Sequence, residues 1–180
     1  MDEITKKLHE GLKYSQGNLG TTMFIYNEIG LIHSGGNAPD WDQAIAAFRK
    51  SLDFREVYYK GDNTFIARGK DNLGRAMALG RQCSDETESL LKEALVTHKK
   101  YLGEAHQDVG RNTFNLGLYY LYKAIPDYDK AKKNFLNAKK IYSCLKISES
   151  IKLQIKYCDD RLKDVYDGIR NSESNENEFR

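Results

Sequence analysis

Three markers recur in this chain at one nearly fixed distance. Glycines inside apolar runs stand at Gly30, Gly74 and Gly117, 44 and then 43 residues apart. A bulky apolar residue follows at Phe48, Leu91 and Phe135, and a small residue one helical turn later at Ser51, Ala94 and Ala138, both with steps of 43 and 44. The sharpest echo is PDWDQA at 39–44 against PDYDKA at 126–131, each followed by three residues and a phenylalanine. A shared period of this length means a stack of similar units that bury their apolar faces on their neighbours. Glycine inside a helix costs about 1 kcal/mol against alanine, so keeping it in every copy points to close approach of two helices.

The side-chain pattern around these markers is Leu-Gly at Leu73-Gly74 and Leu116-Gly117, with Ile29-Gly30 in the first copy. His33, Met77 and Tyr120 stand three residues after the glycines, and Ala44/Phe48 and Ala131/Phe135 form Ala-x-x-x-Phe, replaced in the middle copy by Thr87/Leu91. This resembles the tetratricopeptide repeat. The long period, the segment Gly103-Glu104-Ala105-His106 and the pairs Asn72-Leu73 and Asn115-Leu116 are similar to the long repeats of kinesin light chains, with Gln107 where their linker has proline. The resemblance covers roughly 17–146. It implies an all-α protein, a right-handed α-solenoid of three helix pairs with flanking N- and C-terminal helices.

On this reading residues 1–16 form a flanking helix with Ile4, Leu8 and Leu12 on one face, the second helix of an incomplete pair. The pairs are expected at 19–34 and 40–59, 63–80 and 85–101, and 106–123 and 127–144. Asp40, Ser84 and His106 supply helix-start chemistry. The middle pair, lacking the alanine and phenylalanine, is expected to be the softest. A capping helix at 147–170 carries Ile151, Ile155, Cys158, Leu162 and Val165 at helical spacing, and 171–180 reads as a disordered polar tail. Glu173 to Phe179 hold three glutamates and one phenylalanine, a candidate occupant of the array's own groove.

Composition excludes several functions. A net charge of +2 is too small to imply nucleic acid or membrane, and no apolar run approaches the roughly 20 residues of a spanning helix. Cys83, Cys144 and Cys158 have no paired spacing, which reads as a reduced, cytoplasmic protein. The histidines His9, His33, His98 and His106 show no zinc spacing, and the Gly-Gly loop before Pro39 lacks the lysine of a phosphate-binding loop. Asp40/Asp42 and Asp127/Asp129 recur at helix starts, where they meet the positive end of the helix dipole. No catalytic residue, metal or cofactor is expected, and the chain reads as a non-enzyme.

In the family, residues six, three and two before the glycine, and one and four after it, face the concave groove. Carried over, these are Phe24, Asn27, Glu28, Leu31 and Ser34 in the first copy. The second copy supplies Arg68, Asp71, Asn72, Arg75 and Ala78, and the third Arg111, Phe114, Asn115, Leu118 and Leu121. The resemblance thus implies an adaptor that binds an acidic or aromatic peptide segment, with Arg68, Asn72, Arg75, Arg111, Phe114, Asn115 and Leu118 as its contacts. The carboxylate clamp of chaperone-binding relatives matches only at Asn72 and, by charge, Arg111. The alternative is a structural module that self-associates as a homo-oligomer or joins a larger repeat array, marked by a concentration-dependent mass.

Overall fold

A computed structural model describes residues 3–15 and 17–178, and these build eight α-helices and no strand. In order they are α1 (Glu3–Tyr14), α2 (Leu19–His33), α3 (Trp41–Tyr58), α4 (Thr64–Leu79), α5 (Asp85–Leu102), α6 (Gln107–Tyr122), α7 (Tyr128–Ser143) and α8 (Glu149–Glu178). Helices α2/α3, α4/α5 and α6/α7 are the three pairs, α1 packs on α2, and α8 packs on α7. Each pair also meets the next through α3–α4 and α5–α6, so the fold is an all-α solenoid.

Polar caps set the helix starts. The side chains of Asn18, Asp40, Asn63, Ser84 and Asp127 each accept a backbone N–H of the first turn. His106 does the same through Nδ1, 3.1 Å from the Asp108 amide. Each such cap is worth about 1 kcal/mol. Gly103, at φ +81, ends α5 in a conformation that other residues rarely adopt.

The repeat markers meet inside the pairs. A Cβ on Gly30 would lie 2.6 Å from the Phe48 ring, and one on Gly117 only 2.5 Å from the Phe135 ring. Phe48, Ala44 and Leu52 pack against Ile66, Leu73 and Met77 of the next pair. Phe135 and Ala131 share a core with Leu91, Leu116, Leu162 and Val165, which carries burial from α5 through to α8. In the middle pair Thr87 and Leu91 are fully buried, and the Thr87 hydroxyl donates to the Gln82 carbonyl at 2.8 Å. Its polar atom is therefore satisfied.

The last helix differs from the sequence reading. It continues to Glu178, so 171–178 are helical where a disordered tail is expected. No glycine or proline follows Gly168, and the Ser172 and Ser174 hydroxyls donate to the carbonyls of Ile169 and Arg170. Polarity lowers burial, but nothing here breaks the helix. Phe179 and Arg180 lie outside the described residues.

Candidate functional site

Of the first helices, α4 packs directly on α6 while α2 reaches α4 through side chains, and their polar residues bond mainly to one another. Asn72 Nδ2 donates to Asn27 Oδ1 at 3.0 Å, tying α4 to α2. Between α4 and α6, Arg111 Nε donates to Asp71 Oδ2 at 2.8 Å and Asn115 Nδ2 to Asp71 Oδ1 at 2.8 Å. Arg111 Nη1 lies 2.9 Å from Asp108 Oδ1, and Arg68 Nη2 3.2 Å from Asp108 Oδ2. Asp71 is fully buried. A carboxylate removed from water is tolerable only with such partners, which is why Arg111 and Asn115 converge on it.

The electrostatics follow this wiring. Burial acts against the charge of Arg111, but Asp71 and Asp108 outweigh it and raise its pKa. Burial also tends to raise the Asp108 pKa, yet Arg111 and Arg68 hold it below the usual carboxylate range. That pair therefore adds stability above pH 4 that is lost as the pH falls through the depressed value.

The seven expected contacts thus separate. Asn115 and Leu118 are 1% and 3% exposed, the first spent on Asp71 and the second packed in the core that Leu162 and Val165 of α8 complete. They are not available to an outside ligand, a correction to the sequence reading. Phe114 is half-buried, its ring 5.2 Å from that of Phe135. Arg68, Asn72 and Arg111 reach the surface in part but are engaged within the network. Arg75 stands apart: half-buried, it makes no hydrogen bond or ion pair among the described residues. Burial lowers its pKa, partly offset by the charge of Asp71, with Arg111 and Tyr157 also within electrostatic reach. On α2, Leu31 holds the same repeat position and is 43% exposed, with Phe24 at 60%.

A second polar row was not foreseen. Arg55, His98 and Tyr142 occupy one repeat position, 43 and 44 residues apart, and all three are buried. Their shared spacing is the signal that would have found them. Arg55 donates to the Phe65 carbonyl at 3.0 Å and the Ser51 hydroxyl at 3.3 Å. His98 Nδ1 lies 3.2 Å from Asn112 Oδ1. Because Asn112 Nδ2 donates to the Leu91 carbonyl, its Oδ1 accepts, which assigns the proton to His98 Nδ1.

Burial lowers the His98 pKa from 6.5, opposed by Asp71, Asn112 and Asp108 and reinforced by Arg111. The unfolded chain then binds the proton more readily than the folded one. Unfolding free energy should fall as the pH drops below about 6.5, before the carboxylates titrate. Denaturant titrations at about pH 7.5 and about pH 5.5 should show this slope in the native chain and lose it in His98→Phe. Equal slopes would place the titration elsewhere.

Among the described residues no three His, Cys, Asp or Glu side chains are grouped to hold a metal ion. No helix there is long and apolar enough to cross a membrane. No protein-family model matches the chain, and no curated protein does. Among solved structures, the crystal structure of BtubC (BKLC) from P. vanneervenii is similar at 18% identity and a TM-score of 0.49, covering 89% of this chain and 78% of that one.

Proposed function

We propose that the chain is a non-catalytic interaction module that binds a peptide segment of another protein on the face lined by α2, α4 and α6. The supporting observation is Arg75, a partly desolvated guanidinium that makes no hydrogen bond or ion pair among the described residues and whose burial the charge of Asp71 offsets only in part. A charge held partly out of water and only partly compensated is costly, and a carboxylate from outside would relieve that cost. Leu31 and Phe24, exposed on the adjacent helix, offer apolar surface to the same segment. The ligand chemistry is therefore acidic with an apolar or aromatic neighbour.

The network dictates how this is tested. Reversing the charge of Arg111 would strand Asp71, and reversing Arg68 would repel Asp108, so both changes confuse recognition with stability. Arg75→Gln breaks no bond and sets no new charge against Asp71, so it is the cleaner probe. Partners captured from cell extract by the native chain should be lost from Arg75→Gln and kept by Lys163→Gln at an exposed position of α8, with helicity equal in all three. Retention by Arg75→Gln would move recognition off this face.

A further inference from the structure

The second helices are separated by clefts, and comparing two successive clefts picks out one. Between α3 and α5 the cleft is bridged by polar contacts and narrowed. Asp62 accepts from Thr97 Oγ1 at 2.6 Å and from Lys100 Nζ at 3.0 Å, and Tyr101 donates to the Asp62 carbonyl at 3.1 Å. Across its floor Lys70 is paired with Glu93 at 2.6 Å. The space left is 310 Å³.

One repeat further on, 43 residues for the first helix and 44 for the second, every one of these partners is different. Lys70 becomes Thr113, Glu93 becomes Asn137, Thr97 becomes Ile141 and Lys100 becomes Cys144. The floor ion pair and the clasp are both gone, and the cleft between α5 and α7 opens to 410 Å³. A volume of this size suits a small ligand or a few residues of a peptide.

What lines it is specific. Leu95 of α5 and Ile141 of α7 give two apolar walls. Lys99 is neutralised by Glu104 at 2.9 Å. Lys140, which stands where α5 has Val96, makes no hydrogen bond or ion pair among the described residues, and neither does the Asn137 amide. Asn134 Nδ2 donates to the Lys130 carbonyl, leaving its side-chain oxygen as an acceptor. Two lysines against one glutamate leave one positive charge, set beside an amide that offers both a donor and an acceptor.

We propose that this cleft is a second protein-binding site, for a short segment carrying a carboxylate side chain. The aliphatic part of the segment lies on Leu95 and Ile141, its peptide unit pairs with the Asn137 amide, and its carboxylate meets Lys140. The site lies between second helices and does not depend on Arg75 or on the face of the first helices.

The probe is acetyl-Leu-Asp-Leu-amide, with acetyl-Leu-Asn-Leu-amide as the neutral control, each titrated into the ¹⁵N-labelled full chain to about 10 mM. The acidic peptide should shift the amide signals of Leu95, Thr113, Asn137 and Ile141 saturably. Lys140→Glu, and Asn137→Glu which restores the acid found at Glu93, should each weaken that binding about tenfold or more. Both side chains are exposed, so the fold should survive, and unchanged spectra elsewhere would verify it. Absence of shifts at these residues, equal shifts with the neutral peptide, or undiminished binding in both variants would overturn the proposal.

Discussion

Asp71→Ala should lower the unfolding free energy by about 3 kcal/mol, a large share of the margin of a domain this size. The carboxylate is fully buried and is the shared acceptor of Arg111 and Asn115, from 2.8 Å each. Removing it leaves a guanidinium and an amide facing a dry interior. Arg111 keeps Asp108 at 2.9 Å, so the loss should sit at the low end for a broken buried pair. Changing both charged partners has a different outcome: Asp71→Leu/Arg111→Met removes the ion pair together and should be more stable than Asp71→Ala by about 1 to 2 kcal/mol. Denaturant unfolding of the three chains near neutral pH measures both differences. A cost below about 1 kcal/mol for Asp71→Ala would mean that the contact is not held in solution.

The same residues show where sequence reasoning stopped. The period, read from Gly30, Gly74 and Gly117 with Phe48, Leu91 and Phe135, places three helix pairs, and the observed helices begin and end within two residues of the expected bounds except at the end of α8. Local chemistry explains this: caps at Asp40, Ser84 and His106 act over one turn and are visible in the order of residues. The proposed binding face is different, because whether a polar side chain is free depends on residues some 40 positions away. Asn72 is engaged by Asn27, Arg111 by Asp71, and Arg68 by Asp108, pairs separated by 45, 40 and 40 residues. Repeat position puts them on the first helices but cannot tell a ligand contact from a strut. Leu118 was lost for a similar reason, since the core that buries it includes Leu162 and Val165 of a helix outside the repeat pattern. The asymmetry is physical: apolar periodicity is a property of one helix, whereas charge compensation is a property of two.

Gly117 and Phe135 should be strongly coupled. Phe135 is fully buried, and truncating it to alanine should cost about 4 kcal/mol through lost burial and an unfilled cavity. Gly117→Ala alone should also destabilise, by about 1 to 2 kcal/mol, although alanine is the better helix former. Its methyl would stand 2.5, 2.7 and 2.9 Å from three atoms of the Phe135 ring, and a rigid ring packed on Leu91, Leu116 and Val165 has little room to retreat. In the Phe135→Ala background the obstacle is gone. There the same Gly117→Ala change should reverse sign and stabilise by up to about 1 kcal/mol, since only the helix preference and a partly filled cavity remain. The cycle therefore predicts a coupling of about 2 kcal/mol between residues 18 apart in sequence, measurable from four denaturation curves. Additive effects would mean that the two side chains do not define the approach of α6 to α7, and the glycine would then need another explanation.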